Sequence, residues 1–291
     1  MEMASVTVVI PAYNEESAVE QTLRDLKEIL EADREHAYHV VVVNDGSSDG
    51  TGEILDRIKD ELDVEVIHSP QNQGYGASLK RGFAHRDSDY LFSFDADGQH
   101  AAGDIPKLVP ELERYDAVIG MRRGLKGSPI WRTPGKWVLG RLVNFLCRRK
   151  IPDFNCGLRG FRRETLEGIE HLCADGFSFS ATSTMALHST HANVAFVPVE
   201  VRARSGKSTV SVRTGFATLM LILNSMMRFE PLRIFMPVAL TVGFLGFGFL
   251  VYGVIISNIS DVCLLLMLTG LQLFLIGLVA DQIANLRKER G

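Results

Sequence analysis

Short apolar runs alternate with stretches of helical periodicity over the first 120 residues, and two long uncharged stretches close the chain. Residues 6–10 (VTVVI) form a β-branched run closed by Pro11. Over residues 15–30 the apolar positions Val19, Leu23, Leu26, Ile29 and Leu30 recur with helical spacing. Residues 40–43 are four valines in a row, the pattern of a strand covered on both faces. The same reading predicts helices over 50–62, 75–84 and 105–112, and strands over 64–67, 90–94 and 117–119. Repeated β-α units predict an α/β domain with a mainly parallel sheet and helices on both faces.

The C-terminal pattern is different. Residues 234–257 contain no charge, and neither do residues 262–280. A membrane span needs about 20 mostly apolar residues, so two spans joined by four residues predict a tight transmembrane hairpin. Arg228 and Arg233 precede it, Arg287, Lys288 and Arg290 follow it, and its tip has no Lys or Arg. The positive-inside rule then places both outer ends, and everything before residue 234, in the cytoplasm. The first residues carry no basic, apolar leader of the secretory kind. Residues 215–229 (GFATLMLILNSMMRF) are apolar but short for a span and read as an interfacial helix. The division is 1–213, a soluble domain; 214–233, the interfacial segment; and 234–291, the hairpin. Gly243, Gly246, Gly248 and Gly253 offer close helix approach and a route to a homo-oligomer.

Polar residues collect after the predicted strands: PAYNE at 11–15, NDGSSDG at 44–50, NQGYG at 72–76 and DADGQH at 95–100. Ligands of parallel sheets sit beyond the carboxyl ends of the strands, so four such loops outline a nucleotide-sized site. Asp95 and Asp97 are like charges close together at a strand end, for which a divalent cation is the usual compensation. The GxG of NQGYGAS lacks the third glycine and the acidic residue of a dinucleotide fingerprint, which argues against an oxidoreductase.

Charge is distributed unevenly. The chain is nearly neutral, with a formal net charge of -4, but residues 1–116 hold 10 Lys+Arg against 25 Asp+Glu, and the remainder holds 21 against 10. Nine of the basic residues lie in 117–152, with both tryptophans and no acid after Asp116 until Asp153. Tryptophan among basic residues is the composition of a membrane-interface element. Arg123, Trp131, Arg132, Lys136 and Trp137 are therefore expected to meet the anionic leaflet and a lipid phosphate. Beside two spans, this basic stretch is expected to bind membrane lipid, not nucleic acid. The four cysteines form no C-x-x-C pair, so neither zinc nor a disulfide framework is expected.

Taken together, VVIPAYNEE (8–16), VVNDGSSDGT (42–51), NQGYGASLKRG (72–82), DADGQH (95–100), DFNCGLRGFRRE (153–164), RARSGKS (202–208) and FEPLR (229–233) resemble glycosyltransferase family 2, specifically its dolichyl- and polyprenyl-phosphate sugar synthases. The resemblance implies a GT-A type, nucleotide-sugar-binding domain over 1–213. It implies inverting transfer of a sugar from a UDP- or GDP-sugar, with UDP favoured, to a polyprenyl or dolichyl phosphate. The cofactor implied is Mg2+ or Mn2+ on Asp95, Asp97 and Gln99. Donor contacts fall on Pro11, Tyr13, Glu15, Val43, Asp45, Asp95, Ala96, Arg122, Arg204 (or Arg202, by register) and Lys207. Asp97, Arg122 and Asp153 take catalytic roles, with Asp153 and Arg159 near the acceptor. Asn44, Cys156 and Leu158 depart from the family's usual residues, and the Gln-x-x-Arg-Trp signature of processive synthases is absent. Two other readings stand beside this one. One is a membrane transferase acting on a glycan or protein hydroxyl, for which residues 177–187 offer no carboxylate base. The other is a nucleotide-binding membrane scaffold without activity, against which the intact Asp95, Asp97 and Gln99 speak.

Overall fold

The computed structural model describes residues 3–123, 151–154, 156–176, 178–201, 229–258 and 260–288, together with Met220, Asn224 and Met227. These residues fall into two compact units, one up to residue 201 and one from residue 220 onward.

The first unit follows the predicted alternation. Strand β1 (Ser5–Ala12) leads to α1 (Val19–Ala32), β2 (Ala37–Asn44) to α2 (Thr51–Ile58), and β3 (Glu65–His68) to α3 (Tyr75–His85). Then come β4 (Tyr90–Ser93), α4 (Ile105–Leu108) with 3-10 turns on either side, and β5 (Ala117–Arg123). Val8, Val9 and Ile10 of β1 and Val41, Val42 and Val43 of β2 are all 0% exposed, as continuous apolar strands between helical layers must be. Helix α1 starts four residues later than its periodicity suggests. Asn14 takes a left-handed φ of 56°, and the Glu15 amide bonds the Thr51 hydroxyl instead of opening a helix.

After β5 the order changes. Strand β6 (Arg159–Arg162), helix α5 (Arg163–Ile169), helix α6 (Phe179–Ser189) and strand β7 (Val194–Glu200) complete one seven-stranded sheet in the order β3-β2-β1-β4-β6-β5-β7. Six strands run parallel and β6 runs against both of its neighbours. The sheet is thus mixed, with β6 inserted between two strands that the chain visits earlier. That reversal matters for function. Residues just before β6 arrive at the same sheet edge as residues just after β1, β2, β4 and β5. Gly160 lets β6 lie flat on the Phe92 ring, where a Cβ would approach to 2.4 Å. Phe83, Phe161 and Phe179 pack α3, β6 and α6 together with ring centroids 6.3 and 6.4 Å apart. Each such buried ring contributes about 2–3 kcal/mol of apolar burial.

The second unit is a hairpin of α7 (Leu232–Ile255) and α8 (Asp261–Lys288). Both are long and apolar enough to cross a membrane, with mean hydropathies of 2.2 and 2.5 and only 11% and 17% of their most apolar windows buried. The helices extend beyond the uncharged runs at their outer ends, so the first takes in Leu232 and Arg233 of the predicted interfacial segment. Of the rest of that segment, Met220, Asn224, Met227 and Phe229 are helical, and the two methionines are exposed. Small residues hold the pair close. A Cβ on Gly246 would meet the Met267 amide at 2.8 Å, and one on Gly270 would meet Gly243 at 2.9 Å. Gly246 therefore serves packing within the hairpin, whereas Gly248 faces open space.

Candidate active site

The polar loops brace one another before they meet any ligand. Asn14 accepts from the Ser48 amide at 2.8 Å, its own amide bonds the Ser47 hydroxyl at 3.0 Å, and Glu16 accepts from the Gly50 amide at 2.8 Å. The loop after β1 is thereby knitted to the loop after β2. Asp45, 3% exposed, takes the Gln73 and Gly74 amides on its two oxygens at 2.9 and 2.8 Å, which ties β2 to the loop before α3. Gly76 lets that loop lie against residues 174–175, since a Cβ there would sit 2.1 Å from the Ala174 carbonyl. The Tyr75 hydroxyl then donates to Asp95 Oδ1 at 2.8 Å. Gly157, just before β6, covers the other oxygen: a Cβ there would be 2.0 Å from Asp95 Oδ2. Ser93 fixes that position by donating to the Gly157 carbonyl at 2.6 Å.

These loops enclose a cavity of about 560 Å3. Pro11, Tyr13, Glu15, Asp45, Asp95, Ala96, Asp97, Gln99 and Arg122 all line it, so nine predicted site residues from three loops and the ends of β1 and β5 converge. Tyr13 is 47% exposed and presents its ring at the mouth. Val43 does not line the cavity; its side chain is core, 0% exposed.

Electrostatics single out the fourth loop. Burial raises the Asp95 carboxyl above the ordinary range and nearby Asp97 adds to the rise, while His100, the Tyr75 hydrogen bond and the Arg159 charge oppose it. His100 is almost entirely buried, with Nε2 3.7 Å from Asp95 Oδ2. Burial holds its imidazole below the usual value against the pull of both aspartates. Its Nδ1 is the one side-chain polar atom among the described residues that is wholly shut off from solvent without a hydrogen-bond partner. Asp97 Oδ1 accepts from the Gln99 amide at 3.0 Å, closing a tight turn that sets both side chains on the rim.

Among the described residues no three His, Cys, Asp or Glu side chains form a closed metal cluster. The set expected from the sequence, Asp95, Asp97 and Gln99, would offer two carboxylates and an amide oxygen, hard ligands that suit Mg2+ or Mn2+ and leave positions for ligand oxygens. The residues fit an open, ligand-completed site.

Residues 7–169, more than half of the chain, match the family described as Glycosyl transferase family 2. The chain belongs to glycosyl transferase family 2. Residues 230–286 of this glycosyltransferase match a second family, the GtrB C-terminal hairpin, and contain most of α7 and α8. An undecaprenyl-phosphate 4-deoxy-4-formamido-L-arabinose transferase of Proteus mirabilis is 32% identical over 167 residues, covering 56% of this chain and 51% of the relative. Its counterpart in Photorhabdus laumondii is 30% identical over 174 residues, 58% and 52% respectively. The glycosyltransferase thus matches about half the length of these curated relatives. Glucosyl-3-phosphoglycerate synthase from Mycobacterium tuberculosis, solved with Mn2+, UDP and glucosyl-3-phosphoglycerate, shares the fold with a TM-score of 0.60 at 19% identity, over 77% of this chain and 80% of that one.

In this family 2 glycosyltransferase two predicted catalytic residues pair with each other. Arg122 donates from Nε and Nη2 to Asp153 at 2.7 and 2.9 Å, and this pairing raises the guanidinium's affinity for its proton. Asp153 is not among the cavity-lining residues; it stands as the counter-ion of one that is. Arg122→Ala is expected to lower stability by roughly 1–3 kcal/mol, because the Asp153 carboxylate, 12% exposed, loses its bidentate partner. Adding Asp153→Asn should recover most of the loss in denaturant unfolding. An unchanged single-mutant midpoint would show that the pair braces nothing.

Arg159, which the resemblance puts near the acceptor, is a buried cation. It is 0% exposed and held by the Cys156 and Ser180 carbonyls and the Ser183 and Thr184 hydroxyls, so it can act on a ligand only through its charge and not by contact. Trp131, Arg132, Lys136, Trp137, Arg202, Arg204 and Lys207 lie outside the described residues, as does the side chain of Arg123. Sequence reasoning gave no role to Tyr75, His100, Gly157 or Ser180, which the fold brings to the same cavity. Tyr75 and His100 stand inside the quoted motifs; nothing in the chain order signals Ser180.

Proposed function

We propose that this glycosyltransferase moves a sugar from a nucleoside-diphosphate sugar to the phosphate of a polyprenyl lipid, with inversion, at the cytoplasmic face of a membrane that its hairpin spans. The observation that carries the reading is the acidic pair Asp95 and Asp97 on the rim of a nucleotide-sized cavity, in a chain that also carries two apolar helices. The curated relatives are named for transfer to undecaprenyl phosphate, and the structural relatives were solved with UDP and Mn2+ or Mg2+.

Each residue has a part in this reading. Tyr13 offers an aromatic face to the base, and Pro11, Glu15 and Ala96 shape the nucleoside end. Asp95, Asp97 and Gln99 hold Mg2+ or Mn2+, which when bound supplies Lewis-acid stabilisation for the departing diphosphate. Asp45 keeps the loop before α3 in place through its two amide bonds. Arg122 adds a fixed positive charge, oriented by Asp153. The acceptor phosphate is already an anion near neutral pH, so no general base is required and the protein's contribution is positioning and charge. Basic residues on both outer ends of the hairpin support a topology with the catalytic domain and both termini in the cytoplasm.

The test is direct. Full-length enzyme, undecaprenyl phosphate and a panel of radiolabelled UDP- and GDP-sugars are incubated with Mg2+ or Mn2+, with and without EDTA. Label from one donor is expected in the lipid extract, and EDTA should remove it. Label that reaches only water, glycan or protein, or transfer indifferent to EDTA, would refute the reading. Retained anomeric configuration in the product would refute inversion.

A further inference from the structure

Helix α6 begins against the cavity in a setting of one sign. Its first turn has no side-chain cap, and uncapped amides at a helix start carry partial positive charge. Ser180 lies on that turn. It is only 5% exposed, it lines the cavity, and its hydroxyl has no hydrogen-bond partner. Directly behind it sits the guanidinium of Arg159. Nη1 donates to the Ser180 carbonyl at 2.7 Å, to Ser183 Oγ at 2.7 Å and to Thr184 Oγ1 at 3.2 Å, and Nε donates to the Cys156 carbonyl at 3.1 Å. Every one of these acceptors is neutral. No carboxylate hydrogen-bonds this buried cation; its field reaches Asp95 and Asp153 and acts also on whatever lies at the start of α6.

The cavity therefore divides by charge. Asp95 and Asp97 make one region acidic. The Phe179 amide is taken by the Gly176 carbonyl, but the rest of the first turn of α6 offers the Ser180 hydroxyl, the Ser180 and Ala181 amides and a cation close behind. That combination suits anionic oxygens; a cation or an apolar chain would gain nothing from it. Resting on the transfer proposed above, we infer that the first turn of α6, with Ser180 as its side-chain donor, is the subsite for the phosphate group of the acceptor. The donor's diphosphate belongs to the acidic region through its cation. A second phosphate brought close to that diphosphate needs a positive region of its own to offset their repulsion, and α6 supplies one.

Both substrates carry phosphate, so the experiment separates them. Full-length enzyme in detergent is titrated with farnesyl phosphate, a short polyprenyl phosphate, in the presence of UDP and Mn2+, and separately with UDP and Mn2+ alone. Ser180→Ala removes the donor. Ser180→Asp puts a like charge at the subsite while favouring the helix start, so the variant is expected to fold. Farnesyl phosphate should bind about 5-fold more weakly to the alanine variant and about 30-fold or more to the aspartate variant, as loss of a charged hydrogen bond and added repulsion imply. UDP affinity should stay within about twofold, because the donor's diphosphate is held elsewhere. Unchanged farnesyl phosphate binding in both variants would overturn the subsite and leave the transfer reading intact. A parallel fall in UDP affinity would overturn it too, by assigning Ser180 to the donor. Wild-type enzyme that binds UDP but no farnesyl phosphate would overturn the acceptor reading, and the subsite with it.

Discussion

Gly157→Ala is expected to reduce turnover at least 100-fold in a protein that still folds. A methyl group there would sit 2.0 Å from Asp95 Oδ2 and 2.7 Å from its Cγ. The carboxylate cannot yield easily, because its other oxygen is held by Tyr75 and the Gly157 carbonyl is held by Ser93. Asp95 must rotate away or the loop before β6 must lift off the sheet edge, and either movement separates the two aspartates. A hundredfold loss corresponds to about 2.7 kcal/mol of transition-state stabilisation, reasonable for a group displaced by an ångström. The stability cost should be smaller, about 1–2 kcal/mol, since the loop lies at the rim and not in the core. Turnover, UDP–Mn2+ affinity and thermal unfolding measured together decide the matter. Near-normal turnover would show that Asp95 need not stay where the structure holds it.

The second large effect concerns Asp97. Asp97→Asn keeps an acceptor for the Gln99 amide, so the turn survives, while the charge is lost. Turnover is expected to fall about 10²–10³-fold, the usual range for removing one electrostatic stabiliser from an active site. Stability should hold or rise slightly, because Asp95 loses the like-charged neighbour that raises its carboxyl. An opposite response of activity and stability marks a residue kept for chemistry. The concentration of Mn2+ giving half-maximal activity should also shift upward. Full activity in this variant would remove the acidic pair from the mechanism.

Much of this architecture could be read from the chain, for physical reasons that differ by element. Strands β1 and β2 declare themselves because burial on both faces leaves only β-branched residues. The C-terminal hairpin does so because nothing but an apolar environment tolerates so many uncharged residues in succession. Strand β6 does not. Its sequence, RGFR, shows no apolar run, because Gly160 makes room for the Phe92 ring and Arg159 turns into a polar bed of α6. Strand β7, VAFVPVE, carries Pro198 and was likewise absent from the strand pattern. Aspartates 95 and 97 were legible as a pair. Asp45 was legible as polar, but its backbone partners at residues 73 and 74 depend on tertiary contact. The same holds for His100 and Ser180, whose burial beside the cavity is set by elements far away in the chain.

The interlocked loops have a practical consequence for anyone seeking to change the donor. Asn14, Glu16, Asp45 and Tyr75 each reach from one loop into the next, so no single loop is an independent module. Grafting one segment from a relative with another sugar would import side chains whose counterparts stayed behind. Chimaeras should succeed when the segments following β1, β2 and β4 and the one preceding α3 are exchanged as a set, and stepwise swaps should pass through inactive intermediates.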